Sequence, residues 1–260
     1  MVSAAAVARA EDPAPGAAPV PVWEGAVGLM LNHSANYQGA ADSRNRLVPG
    51  FFVRYGRFSA TNASGFVTRR NDDVERGVAA ELLRRDDLRV SLSARFDGGR
   101  DADSDAALRG LPDVRPTLRL RLSALKHLSD GWQVSAAISP DVLNRGGGVL
   151  ADLGLGREWY VTRDLRASIG TGTTWASGRY LQSYFGVTPA QSTVTGMRTI
   201  QPGAGLRDLS LGAGLYAVLG PHWVGFASVG ATHLLGDAAD SPLTRRANTW
   251  SAYSGVAWRF

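Results

Sequence analysis

From Trp23 onward, apolar and polar residues alternate one by one along most of the chain. Leu88, Val90, Leu92, Ala94 and Phe96 interleave with Arg89, Ser91, Ser93 and Arg95. Leu118, Leu120 and Leu122 interleave with Thr117, Arg119, Arg121 and Ser123, and the run from Asp208 to Leu219 repeats the pattern. Successive side chains of an extended strand point to opposite faces, so a period of two marks strands with one apolar face. A helix would show spacings of three and four. About twelve strands can be placed on this pattern, at 23–32, 47–56, 65–70, 75–83, 88–97, 115–126, 132–139, 148–160, 165–176, 206–219, 223–234 and 249–260.

The connections sort by length. Tight ones contain Arg85-Asp86-Asp87, Ser129-Asp130-Gly131, Thr162-Arg163-Asp164 and Gly220-Pro221-His222. Longer ones run through about 33–46, 98–114, 140–147, 177–205 and 235–248. A soluble lipocalin-like barrel shares the period of two but has no reason to alternate short with long. An outer-membrane barrel does, with short periplasmic turns, longer external loops and an even strand count. The tryptophans point the same way. Trp23, Trp132, Trp159, Trp223 and Trp258 lie near the short-turn ends of strands, and Trp175 and Trp250 near the long-loop ends. Indole rings gather at membrane interfaces, where an apolar body meets water through one N–H donor. Five at one rim and two at the other predict two girdles.

Composition agrees. None of the apolar stretches in the 260 residues approaches the roughly 20 a membrane-spanning helix needs. Cysteine is absent, which rules out disulfides and thiolate metal sites. The net charge of +5 comes from arginines spread singly, with Lys126 the only lysine, so nucleic-acid binding is not expected. At the start, Val2 to Ala8 is a short apolar run and Ala8-Arg9-Ala10 fits a signal-peptide cleavage pattern. Residues 1–10 therefore read as a signal-peptide remnant, 11–22 as a Pro/Ala-rich periplasmic arm, and 23–260 as the barrel. The final alternating strand places Trp250, Ala252, Val256, Trp258 and Phe260 on one face. Trp258 and Phe260 are expected to act as an assembly signal.

Two stretches carry a resemblance. Tyr184-Phe185-Gly186-Val187, followed by Thr188-Pro189-Ala190 and a Ser/Gly-containing segment, is similar to a signature of the MipA/OmpV family of outer-membrane proteins. So is Leu234 to Pro242, with Asp237, Asp240, Ser241 and Pro242 in a late external loop, although His233 stands where the family pattern leads one to expect arginine. Asp152 to Gly156 and the aromatic C-terminus are similar too, and the resemblance covers about residues 22–260. It implies a barrel that interacts with a murein-degrading lytic transglycosylase and scaffolds a murein synthase with it, or an immunogenic or adhesive surface protein. Outer-membrane lipid and lipopolysaccharide are the expected surroundings.

No catalytic, cofactor or metal site is expected. His33 and Ser34 are adjacent on a strand and point to opposite faces, which is unsuited to nucleophilic catalysis. Asp101, Asp103 and Asp105 resemble the start of a calcium loop, but Ala106 and Pro112 stand where glycine and a bidentate glutamate are required. The three acids could still bridge calcium to lipopolysaccharide. The lumen is more informative. Lipid-facing Leu and Val force Arg89, Arg95, Arg119 and Arg121 inward, with Glu81 and Asp152 among the inward acids. A plug of ion pairs and an anion-selecting pore both fit this wall. Gly154, Gly156, Gly170, Gly172, Gly212 and Gly214 face inward opposite, and the 177–205 loop, with Tyr180, Tyr184 and Phe185, is expected to fill the space they leave. The resulting reading is an all-β, transmembrane, antiparallel up-and-down barrel of about twelve strands in the outer membrane, non-enzymatic. The resemblance implies that it scaffolds murein machinery, with a small-solute channel or a surface adhesin as alternatives.

Overall fold

A computed structural model describes residues 23–62 and 76–260. The signal-peptide remnant and the arm lie outside the described residues, as does the strand expected at 65–70. Twelve strands form a closed barrel in which each pairs antiparallel with its sequence neighbour and β12 returns to β1. They are β1 (Trp23–Ala35), β2 (Ser43–Tyr55), β3 (Phe58–Thr61), β4 (Gly77–Arg84), β5 (Leu88–Asp97), β6 (Thr117–His127), β7 (Trp132–Pro140), β8 (Val149–Tyr160), β9 (Leu165–Ala176), β10 (Gly205–Val218), β11 (Trp223–Leu234) and β12 (Asn248–Arg259). Three helices sit in the long loops: α1 (Gly178–Phe185), α2 (Pro189–Thr195) and α3 (Gly236–Ala239).

β2 turns directly into β3 through Gly56 and Arg57, with Tyr55 opposite Phe58. Gly56 adopts φ +58°, which a tight hairpin needs at its first central position and which glycine takes without steric cost. Among the described residues β3 comprises Phe58–Thr61, a stretch the period of two does not mark as a strand.

The barrel is apolar outside and polar within. Leu29, Leu31, Leu47, Leu153, Leu209, Leu211, Leu215 and Val229 are all exposed on the outer face. Every tryptophan is exposed, from 37% at Trp258 to 64% at Trp23. Trp223 lies directly opposite Trp258 across the β11–β12 ladder, and Trp23 packs on Tyr55 at 4.6 Å, so the short-turn girdle is a continuous aromatic rim. In water such a surface would drive aggregation; in a bilayer it is the lipid contact. A barrel closed by its own ladder satisfies its backbone internally, as a membrane requires. Closure rests on β1 and β12, paired from Ala26–Arg259 to His33–Ala252 and extended by reciprocal backbone bonds between Gly25 and Phe260 of 3.3 and 3.0 Å.

Candidate functional site

Inward alternation places charge in the lumen, and the barrel register decides which charges meet. Arg119 on β6 is fully buried. It donates Nε to Asp97 at 2.6 Å, and its other nitrogens to the carbonyls of Ser139 (3.2 Å) and Gly147 (2.7 Å). Arg121, two residues on, pairs with Asp152 of β8, which also accepts from Thr174 at 3.0 Å. Glu81 pairs with Arg84 at 2.8 Å and lies 3.7 Å from Arg54, whose other neighbour is Glu24 at 4.0 Å. Arg166 pairs with Glu158 at 3.1 Å. Such pairing is what lets charges persist away from bulk water. Arg89 and Arg95 project into the same lumen from β5.

Glu24, Arg54, Asp97, Glu158 and Arg166 escaped the sequence reading. Their inward parity was visible there, but their partners were not, because pairing depends on register between strands far apart in sequence.

The 177–205 segment lies at the external mouth and folds into α1 and α2 rather than an irregular loop. Ser177 caps α1 by accepting from the Tyr180 N–H. Thr188 and Gln191 form a reciprocal capping box around Pro189 at the start of α2, and Gly196 ends it in the left-handed region. These capping signals are legible in the sequence once a helix is sought. α1 buries Tyr180, Leu181 and Phe185 against Leu150, Ala176, Leu234 and Ala238. Tyr180 stacks on Tyr184 at 4.4 Å, and both Arg119 (5.5 Å) and Arg207 (5.3 Å) sit over its ring. Its hydroxyl donates to Gln38 at 2.9 Å and accepts from Arg207 at 3.0 Å. α1 thus rests on the arginines of the lumen wall.

The glycine wall is not filled by this segment. Gly156, Gly170, Gly212 and Gly230 stand in one row across β8 to β11. The atoms nearest their inner faces belong to neighbouring strands, such as Gln133 and Val229, and to none of the residues of the 177–205 segment. α1 lies higher, at the mouth, because its anchors are Leu150, Ala176 and Leu234 at the external strand ends.

The two stretches that carried the resemblance meet at this mouth. Ser241 Oγ donates to the carbonyl of Phe185 at 2.6 Å and accepts from the Leu243 N–H at 3.1 Å. Asp237 accepts from the Gly203 N–H at 2.9 Å, and the Asp240 carbonyl accepts from Arg198 at 2.8 Å. Phe185 and Val187 are fully buried, Val187 bridges to Ile200, and Gly186 donates back to Leu181 and Gln182. Pro242 lies between buried Ser241 and Leu243. Nearby, Tyr37 donates to the Leu243 carbonyl at 2.9 Å, and burial, followed by the charge of Asp105, raises its pKa to about 12. Burial and Asp97 likewise raise the Tyr184 phenol. Both phenols are neutral structural donors.

The remaining candidates are structural. Asp101 and Asp105 cap short turns, and Asp105 accepts from Asn36 at 3.0 Å. Among the described residues no three His, Asp or Glu side chains converge as a metal site. His33 bonds Asn45 at 2.8 Å and stacks on Trp250 on the outer face. Trp258 packs on Phe260 at 5.4 Å on the lipid face.

Residues 27–260 match the family described as MltA-interacting protein MipA. The MltA-interacting protein of Escherichia coli (strain K12) is 24% identical over 159 residues, covering 60% of this chain and 62% of that one. The putative outer membrane protein YiaT of Escherichia coli O157:H7 is 26% identical over 160 residues, covering 61% and 64%. The chain thus matches under two thirds of the length of these curated relatives. Among solved structures, an outer membrane channel from Pseudomonas putida F1 aligns over 97% of this chain and 100% of that one, at 12% identity and a TM-score of 0.44.

Proposed function

The chain belongs to the MltA-interacting protein MipA family, and from that premise we propose that it works by holding a periplasmic partner rather than by passing solute or catalysing a reaction. It is an outer-membrane β-barrel. The partner suggested by the family description is MltA; the resemblance drawn from the sequence implies a murein-degrading lytic transglycosylase, with a murein synthase scaffolded alongside. One observation carries the reading: α1 lies at the external mouth with Tyr180, Leu181 and Phe185 buried and two arginines over the Tyr180 ring. A general diffusion pore keeps its lumen open. Here α1 narrows the mouth and ion pairs brace the lumen wall, leaving the short-turn rim as the surface that faces a periplasmic partner.

Two measurements on the purified full chain test this. In detergent micelles it should capture MltA, with capture resisting moderate salt. In planar bilayers it should show no steady conductance of porin size. Porin-like conductance together with failure to capture MltA would overturn the proposal in favour of a channel.

A further inference from the structure

The lumen below the mouth is not uniformly filled. Its short-turn half holds a cavity of about 630 Å³, within the size range of about 300–1,000 Å³ typical of small-ligand sites. One wall is cationic: among the described residues, Arg54, Arg76, Arg89, Arg95, Arg121 and Arg166 line it, against the acids Glu81 and Glu158. Aromatic and small residues, Tyr216, Phe226, Tyr253 and Gly214, complete the lining, and Arg166 sits over the Tyr216 ring at 5.4 Å. A second cavity of about 580 Å³ lies under the mouth, and Arg76 and Arg95 border both.

Arg95 is the informative residue. It stands directly opposite Arg119 in the β5–β6 ladder, and Arg121 is the next inward residue of β6. Like charges directly opposite on paired strands destabilise a sheet. Arg119 is offset by Asp97 and Arg121 by Asp152. Arg95 has no hydrogen-bonding or ion-pairing partner among the described residues, although it is half-buried inside a membrane barrel. The acids within electrostatic reach of it, Asp97 and Asp152, are already engaged by Arg119 and Arg121, so three guanidinium groups share two carboxylates beside a cavity with room for a further anion.

We infer that this chamber is an oxyanion-binding site. Arg95 is its anchoring cation, and its ligand is a small molecule bearing carboxylate or phosphate groups whose less polar face rests against Tyr216 and Phe226. Arginine suits this role because its planar fork bonds both oxyanions bidentately and stays charged at any physiological pH. The inference is independent of the docking proposal, since it concerns the lumen and not the rim.

The test is titration calorimetry on the full chain in zwitterionic micelles, with citrate and inorganic pyrophosphate as separate probes. Saturable binding of at least one probe is expected, and which one binds assigns the carboxylate or phosphate class. Arg95→Gln should weaken it at least tenfold, Arg95→Lys should weaken it less, and Arg109→Gln, on an external loop, should leave it unchanged. Absence of saturable binding of both probes to the wild-type chain would overturn the inference, whatever the variants do. So would equal binding by Arg95→Gln in a folded, heat-modifiable barrel, or an equal loss in Arg109→Gln.

Discussion

At the scale of single residues, the barrel depends on groups that hold several partners at once. Arg119 is the clearest case: one guanidinium, with no exposed surface, satisfies Asp97 and two backbone carbonyls. Removing one member of a buried pair leaves the other uncompensated, at a cost of about 3–5 kcal/mol. Arg119→Ala should therefore lower the unfolding free energy of the heat-modifiable form, read from its denaturant midpoint and m-value, by an amount of that order, and Arg119→Lys should recover only part of it. A midpoint within error of wild type would show that Asp97 is solvated instead. Asp141 plays the converse part outside the strands. Its carboxylate accepts from the Thr117 hydroxyl and from the N–H groups of Leu143 (3.0 Å), Arg145 (2.7 Å) and Gly147 (2.8 Å), folding the whole 141–148 loop around itself. Burial alone would raise its pKa, but these four donors outweigh it and hold the value below the ordinary 3.8. A depressed folded value means stability that is fully present above pH 3.8 and is lost as the pH falls through the lower folded value. Acid titration of loop protection, followed by proteolysis at Arg145, should show that loss in wild type. Asp141→Asn should be more open at neutral pH and show a flatter acid limb.

Among the elements, α1 is the piece on which the closed lumen depends, and Gly148 is the residue that admits it. A Cβ at Gly148 would lie 2.4 Å from Ser177 Oγ and 2.7 Å from the Tyr180 nitrogen, on a backbone with φ +54° that side chains rarely adopt. Gly148→Val should expel the N-terminus of α1 from the mouth, and Leu181→Asp should expel its apolar face. Both variants should convert a silent barrel into one with stepwise conductance in planar bilayers, while the outer face and heat-modifiability stay the same. Silence in both would mean that the block lies deeper in the lumen. What was legible in the sequence divides along the same line. The strands were, because period two needs only near neighbours: Leu118 to Ser123 declares its faces without reference to anything else. The tryptophan rims were legible because position along a strand maps to depth. α1 and α2 went unread because a short helix in a long connection shows no sustained period, and only the caps at Ser177 and Thr188 mark it. The meeting of Ser241 with Phe185 was beyond reach, being fixed by the way two loops from different hairpins fold over one mouth.

Taken whole, the barrel is lopsided. β1 and β2 share thirteen paired positions, and β10 and β11 share eleven. Among the described residues, β3 shares four with β2 and four with β4. A membrane-spanning strand takes about 9–11 residues, so β10, with 14, crosses with length to spare, while four residues of β3 are described. The lumen is lopsided in the same sense. On the long-strand side, Ala26, Met30, Phe52, Tyr216, Val224 and Ala257 form an apolar cluster inside the barrel, and glycines let the walls run close. The short-strand side carries Arg76, Arg89 and Arg95 around open cavity. Fewer ladder bonds, less apolar burial and more charge all lower the free energy of local opening on that side. Hydrogen exchange on the micelle-embedded chain should therefore be graded around the circumference. Amides of Phe58–Thr61 and Gly77–Arg84 should exchange at least tenfold faster than those of Leu209–Leu215, although all are strand amides. If the chamber beside β4 and β5 takes an oxyanion, adding the probe that binds should slow the fast side selectively, because a ligand that binds only the closed barrel stabilises it by mass action. Uniform exchange without ligand would remove the asymmetry argument. A uniform slowing on both sides would point instead to a general effect of the added salt, and a selective slowing across β4 and β5 would tie the weakest arc of the barrel to its most charged wall.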